Sequence, residues 1–561
     1  MTTFSNLLQR SYLEIPEKVS IVLQNAGQPD QEITYRQLIL GANCYARSLA
    51  REEIKPGEVV LLILQHGQDL AFSFWGAVLR GAIPAIMPFL SEKLSPERYH
   101  ADLASLISIT KPAAIITSAE FEEETRSALI PGDSVRRVIV TNTIEPQFEP
   151  DFDSLPGIKA SPEDISLLQH SSGTTGLQKG VALSHKAVLS QLDAYSKAIN
   201  LDPEKDVIVS WLPLYHDMGL IACFLLPVLM RVTLVEMSPF DWVRAPYKLM
   251  QSISQYKGTL SWLPNFAFNF CANKIRERNL EGVDLSSWRA IINCSEPVHA
   301  ESHQLFAEKF SAFGLRPQAL QTCYAMAENV FGVTQSPLDQ SPVVDEIDRE
   351  VFMTQRLATP PIVGRPAMKM MSSGWTLANT KIRIVDDNGI DLPDRVVGEI
   401  KMQSDCMLTE YYNRPDATEL ALRNGWYMTG DYGYLANGEL YVSGRKKDMI
   451  IVGGKNIYPQ DLESLASEVP GVHPGRTVAF GMYDEEAGTE EVVIIAEVDS
   501  EEPSEQEAIA DAIRKHVTKS SAIALRHVKV VGEKWIVKTS SGKTARSANK
   551  EKFLKELGSE K

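Results

Sequence analysis

Between His170 and Gly180, four hydroxyls and one ammonium lie close together: Ser171, Ser172, Thr174, Thr175 and Lys179, interleaved with Gly173 and Gly176. Glycines allow tight turns and close backbone approach, so several N–H groups can point at one anion. The hydroxyls and the ammonium add the donors that a polyphosphate requires. This is not a P-loop, because Lys179 follows Gln178 and precedes Gly180 instead of standing between Gly and Ser/Thr. The competing reading is a surface loop rich in turn residues.

Four further stretches add chemistry that a nucleotide would need. Asn293 to Pro297 follows an apolar strand at 290–292 and offers Ser295, Glu296 and Pro297 as a wall for a base. Thr322, Cys323, Tyr324, Ala325 and Met326 supply an aromatic face, and Glu328 supplies a carboxylate shortly after. Asp431 follows Thr429-Gly430, a placement suited to accepting bonds from two ribose hydroxyls. Lys543 sits on a Ser-Gly loop near the C-terminus. Taken singly each is weak, since a Thr-Gly-Asp turn is usually just a turn.

These residues need a scaffold, and the chain spells one out. Continuous apolar runs at 59–64, 82–87, 112–116 and 138–140 alternate with helical patterns, the βαβ rhythm of a parallel sheet. An amphipathic helix is expected from Thr34 to Leu49, another at 187–199, and a strand at 207–211. Residues 438–451 read as a hairpin ending in a basic turn. A complete small α/β pattern follows, with helices at 459–468 and 505–518 and strands at 478–480, 492–498 and 527–531. Domain boundaries are therefore expected at 1–445 and 446–561. Composition is that of a soluble globular protein, with 44% hydrophobic and 23% charged residues. A net charge of −16 argues against a general nucleic-acid or anionic-membrane binder. No apolar run reaches the roughly 20 residues of a membrane span. The six scattered cysteines show neither zinc nor disulfide spacing, which fits a reducing cytoplasm. Residues 512–561 hold thirteen Lys/Arg against four Glu, a solvated face or a surface for an acidic partner.

In this order and spacing the motifs resemble the adenylate-forming superfamily of acyl-CoA synthetases, luciferases and peptide-synthetase adenylation domains. The resemblance runs from Thr34-Tyr35 to Arg546, and Ser443-Gly444-Arg445-Lys446-Lys447-Asp448 is among its most specific parts. It implies a large N-terminal domain, of two α/β subdomains and a small β subdomain, and a small mobile C-terminal α+β domain. Within the superfamily, the stretch from Trp211 to Ile221, residues 261–268 and 284–288, and Tyr458 to Glu463 look like the fatty acyl-AMP ligases. So do the forty-three residues between Glu328 and Ser372, longer than an acyl-CoA synthetase needs, with the core of the extra segment at 345–365. Departures stand at His170, where Tyr is usual, at Cys294-Ser295, at Ala325 and at Val537, and none removes a charged catalytic group.

The resemblance implies roles. Ser171 to Lys179 would bind the β/γ-phosphates of ATP, Tyr324 would face adenine and Asp431 the ribose. Thr174 and Glu328 would hold Mg²⁺, Arg445 would contact ribose or phosphate, and Lys543 would bridge the acyl carboxylate and the α-phosphate. Lys447 would be the hinge about which the C-terminal domain swings. Trp211, Met218, Gly219, Pro264, Asn265 and Phe266 would form the acyl pocket, with His216 as its gate or as a satisfied polar group beside the core. The implied reaction is attack of a fatty carboxylate on the α-phosphorus, giving an acyl-adenylate and pyrophosphate. The acyl group would then pass to the 4′-phosphopantetheine of an acidic acyl carrier protein. Rival readings are an acyl-CoA synthetase using free coenzyme A, an adenylation enzyme for an amino, hydroxy or aryl acid, and a non-catalytic acyl-adenylate-binding module.

Overall fold

The βαβ rhythm closes into two large sheets. The computed structural model describes residues 2–559 apart from 91–95, 146–148, 172–178, 453–454, 485–488, 522, 524 and 540–541. One sheet runs Glu410–Tyr411, Lys179–Ser184, Ile165–Ser171, Ile83–Ile86, Val59–Ile63, Ala114–Thr117 and Arg137–Val140 in spatial order. The other runs from Trp375–Thr376 through Gly332–Gln335, Leu320–Ala325, Ala290–Asn293, Leu260–Leu263, Val207–Ser210 and Thr233–Met237 to Val19–Gln24 and Gln31–Thr34. Helices cover both, as parallel strands buried on two faces demand. The helix Tyr35–Arg51 starts on a capping box: the Thr34 hydroxyl accepts from the Gln37 N–H and the Gln37 side chain accepts from the Thr34 N–H.

A third sheet is built on Thr380–Val385, Gly398–Ser404 and Trp426–Ala436, with Glu439–Arg445 paired to the last. Here the expected hairpin at 438–451 is displaced. The chain reverses at Asn437-Gly438, both at positive φ (52° and 84°), so 439–445 is the second strand of the hairpin and 446–448 a short 3₁₀ turn. Asn-Gly is the pair that a two-residue hairpin turn selects. The apolar stretch after Asp217 also forms an unexpected element. Met218–Leu225 is a π-helix that runs into the α-helix Leu226–Met230. A Cβ on Gly219 would lie 2.3 Å from the Pro213 carbonyl oxygen, so the wide turn packs directly on the loop before it.

After Asp448 the chain forms a three-stranded sheet, Val472–Asp484, Thr489–Val498 and His527–Val531, with helices Pro459–Ser467, Pro503–Ser521 and Arg546–Ser559. The extra segment bridges this unit to the rest. Strands Val344–Asp348 and Ala367–Met371 pair, and the helix Arg349–Gln355 between them is capped by Asp348. Met353 packs into the core around Leu462, Ile494 and Ile513, while Phe352 packs with Tyr434 and Tyr458. Arg349 Nη1 donates to the Ser520 carbonyl at 3.4 Å. All six cysteines are buried, and the described residues contain no disulfide. No helix among them is long and apolar enough to cross a membrane.

Candidate active site

The site lies where the sheets and the C-terminal unit meet. The strands Trp426–Ala436 and Glu439–Arg445 put Asp431 opposite Arg445 in register. Arg445 Nε stands 3.5 Å from Asp431 Oδ1, and the Tyr324 hydroxyl donates to Asp431 Oδ2 at 2.6 Å. Burial pushes the Asp431 carboxyl up, while Arg445 and the Tyr324 bond pull it down. Tyr324 thus has a role beyond offering a ring face, since its hydroxyl orients the carboxylate expected at the ribose.

Glu328 and Lys179 converge at the far end of the same cleft. Glu328 lies on the 3₁₀ turn Ala327–Asn329, and the Tyr411 hydroxyl donates to its Oε1 at 2.8 Å. The Lys179 ammonium stands over the Tyr411 ring, 4.6 Å from its centroid. Ser172, Gly173, Thr174, Thr175 and Gly176 lie outside the described residues. Ser171 is placed by its backbone, which pairs with Lys179 across the two strands that carry the loop. The strands Ile165–Ser171 and Lys179–Ser184 on either side of these residues pair antiparallel. His170, beside it, is buried, and neither ring nitrogen has a hydrogen-bond partner among the described residues. Burial pushes its imidazole down to about 4.

Lys543 reaches the site from the C-terminal unit. A Cβ on its neighbour Gly542 would lie 3.5 Å from the Phe266 ring, so the lysine loop rests on that aromatic. The charge of Lys543 reaches His216 and Asp217: burial, then Lys543, push the His216 imidazole down to about 3. The Asp217 carboxyl is pushed up by burial and pulled back by Lys543. Asp217 also caps the π-helix, accepting from the Met218 N–H at 2.9 Å. The loop carrying these residues is held from behind by a pair that the sequence did not reveal. His66 Nε2 accepts from the Leu214 N–H at 3.3 Å, and its Nδ1 lies 3.2 Å from Glu236.

Several expected contact residues turn out to be committed to the scaffold. The Thr322 hydroxyl donates to the Ser372 carbonyl at 2.7 Å, and the Cys323 thiol is buried. Ala325 and Met326, which follow Tyr324, are half-buried. Glu296 Oε2 accepts from the Phe266 N–H at 3.0 Å, at the start of the helix Asn265–Lys274. Ser295 sits at φ 71° against Met218 and Cys294, and Pro297 is exposed. The Asn265 amide donates to the Ser302 hydroxyl and accepts from the Asn293 amide and the His299 N–H, so it is part of a buried polar network. Pro264 is buried before that helix, and Gly219 is pinned to Pro213. Trp211 stacks on Trp242 with centroids 3.6 Å apart, and Phe266 meets both edge-on at 6.2 Å. Phe266 also lies against the lysine loop, and the Met218 sulfur lies against Cys294 and Ser295.

At the expected hinge, contacts change sides within three residues. Lys446 pairs with Asp387, in the turn after Thr380–Val385, and with Glu399 of the third sheet, at 2.9 and 3.0 Å. Asp448 pairs with Arg546 of the C-terminal unit at 2.9 Å. Lys447 stands between them; desolvation and neighbouring Arg445 push its ammonium down to about 8.

The family described as AMP-binding enzyme matches residues 8–412. This chain belongs to the AMP-binding enzyme family. Among the relatives, a Mycobacterium tuberculosis protein named as the ligase Rv1013 is 30% identical over 533 residues, covering 93% of this chain and 95% of its own. A structure from a study of fatty acyl-adenylate ligases of E. coli and L. pneumophila superposes with a TM-score of 0.89 at 28% identity, covering 100% of this chain and 99% of that one. The L. pneumophila fatty acyl-adenylate ligase bound to acyl adenylate and pyrophosphate aligns with a TM-score of 0.74 at 28% identity, covering 98% and 96%. The AMP-binding fold thus extends over the whole chain, with the large N-terminal and small C-terminal domains that the motifs implied.

Proposed function

We propose that this protein is a fatty acyl-AMP ligase that passes its product to a carrier-bound thiol. The observation that carries the reading is the arrival of Lys543 from the C-terminal unit beside Phe266, His216 and Asp217, with Asp431, Arg445, Lys179 and Glu328 along the rest of the cleft. A carboxylate attacking the α-phosphorus of ATP needs positioning and charge neutralisation more than covalent help from the protein. Asp431, held by Arg445 and Tyr324, is poised to accept from ribose hydroxyls. Lys179 and the loop before it would take the β/γ-phosphates. Lys543 would neutralise charge on the attacking carboxylate and the α-phosphate. The hard carboxylate oxygens of Glu328 fit Mg²⁺, which would offset triphosphate charge when bound. His216, buried and neutral, would leave the acid's carboxylate as the partner of Lys543.

The fatty nature of the acid is supported by the likeness to fatty acyl-adenylate ligases and by the apolar walls at Met218 and Phe266. The extra segment supports a carrier as the acceptor. With Met353 in the core of the C-terminal unit, that unit is tied to the N-terminal domain in the pose that presents Lys543. Transfer then requires a swing about Lys447, with domains 1–445 and 446–561, and a bound carrier is better placed than free coenzyme A to drive it. The phosphopantetheine arm of an acyl carrier protein is the thiol we infer. Several C-terminal bases are already ion-paired (Arg514, Arg526, Lys529 and Arg546), so an acidic carrier would meet exposed lysines such as Lys515, Lys519, Lys534 and Lys555.

The test is a hydroxamate-trapping screen of fatty, aryl and amino acids with ATP and Mg²⁺, followed by transfer to coenzyme A and to holo-carrier. Adenylation of fatty acids with transfer to the carrier supports the proposal. Preference for amino or aryl acids, or efficient transfer to free coenzyme A, would replace it with one of the rival readings.

A further inference from the structure

Tyr411 lies in no stretch that pointed to chemistry, yet its side chain touches both charged groups at the phosphate end of the cleft. The strand Glu410–Tyr411 pairs antiparallel with Lys179–Ser184, Tyr411 opposite Val181. Side chains two residues apart on a strand share a face, so Lys179 is the diagonal neighbour of Tyr411 on that face. That register explains why the Lys179 ammonium stands 4.6 Å from the ring centroid. A cation over a tyrosine face is attracted by the ring quadrupole. The other end of the ring is fixed as firmly. The Tyr411 hydroxyl donates to Glu328 Oε1 at 2.8 Å and lies 2.9 Å from the Tyr427 hydroxyl. With its one proton given to Glu328, Tyr411 accepts from Tyr427. The backbones are tied as well, Leu408 N–H to the Glu328 carbonyl at 2.8 Å and Tyr412 N–H to the Gly180 carbonyl at 2.8 Å. Tyr411 itself is buried.

We propose that Tyr411 is a positioning residue that couples the two charged groups facing the triphosphate, its hydroxyl setting the Glu328 carboxylate and its ring seating the Lys179 ammonium. The proposal rests on the reading of this cleft as an ATP site. Its distinctive consequence is that hydroxyl and ring act on different ligands. Removing the hydroxyl alone frees Glu328 to rotate and weakens metal binding. Removing the ring unseats Lys179 and weakens nucleotide binding even without metal.

The experiment compares wild type, Tyr411→Phe, Tyr411→Leu and Tyr427→Phe, each checked for folding by thermal melting. Calorimetry with α,β-methylene-ATP in EDTA reads the nucleotide, and paramagnetic-resonance titration of Mn²⁺ into the analogue-bound protein reads the metal. Y411F should bind the analogue as wild type does while losing about tenfold in Mn²⁺ affinity, the scale of losing a partner of a metal ligand. Y427F should lose less in the same direction, and Y411L should lose in both measurements. Wild-type Mn²⁺ affinity in Y411F, or equal losses of nucleotide in Y411F and Y411L, would overturn the coupling. Failure of the wild-type protein to bind the analogue at all would instead strike the reading of the cleft as an ATP site.

Discussion

Met353→Ala is the perturbation that separates a docked from a swinging C-terminal unit. Met353 is 9% exposed and belongs to the core formed by Leu462, Leu465, Ile494 and Ile513, although its helix belongs to the extra segment of the N-terminal domain. Truncating a core Met to Ala costs about 2–5 kcal/mol. The seam position argues for the lower figure, and about 2 kcal/mol corresponds to roughly a 30-fold shift in an equilibrium. That energy is lost only from the docked arrangement, because the Phe352–Tyr434 contact and the Asp348 cap keep the helix on its own domain. The open population should therefore rise by up to that factor. Free coenzyme A should gain access in proportion, while pyrophosphate exchange, which uses the docked arrangement, changes by less than about threefold if docking dominates in the wild type. The assay is the ratio of coenzyme A thioester formation to pyrophosphate exchange, with Met353→Leu as a volume-conserving control expected to resemble wild type. An unchanged ratio in M353A with an intact melting transition would refute the clamp.

Three further outcomes follow from the geometry. Lys543→Ala should lower adenylation by about 10²–10³-fold, the scale of one electrostatic donor, and pyrophosphate exchange at wild-type rate would remove Lys543 from the chemistry. Tyr324→Phe takes away the 2.6 Å bond to Asp431 while keeping the ring, and a bond to a charged group is worth about 1.5–3 kcal/mol; the KM for ATP should rise at least tenfold, and an unchanged KM would count against the ribose assignment. His170, His185 and His303 are buried with imidazoles pushed down to about 4, and His216 to about 3, chiefly by burial. Below the unfolded value near 6.5 the unfolded chain binds these protons and the folded one does not, so their stabilising contribution, present above that pH, is lost as pH falls toward 4. Four protons correspond to a slope of roughly 5 kcal/mol per pH unit between about 6 and 5; denaturant midpoints independent of pH across 7.5 to 5 would contradict the neutral burial.

What could be read from the residues was whatever depends on local pattern. The strands Val59–Ile63 and Ala114–Thr117 were legible because continuous apolar runs ended at turn residues. The helix Tyr35–Arg51 was legible through Thr34 and Gln37, three positions apart. Asn437-Gly438 carried a hairpin signal that the basic run after Gly444 obscured. The π-helix Met218–Leu225 has no signature distinct from a buried α-helix, since every face is apolar. The sequence did not show that the Thr322, Glu296 and Asn265 side chains also bond the scaffold, because those partners lie far away in the chain. Tyr411 was out of reach because its partners come from pairing with residues about 180 and from a turn at 328. The charge count after residue 512 revealed the basic excess but not that Arg546 is neutralised by Asp448 and Glu463.

The most direct measurement is mass spectrometry of the product formed when purified protein is given ATP, Mg²⁺ and a panel of fatty acids of graded length. The account predicts an acyl-adenylate with stoichiometric pyrophosphate for at least one chain length, and loss of both in Lys543→Ala. No adenylate from any acid in the panel, by protein shown to be folded, would contradict it.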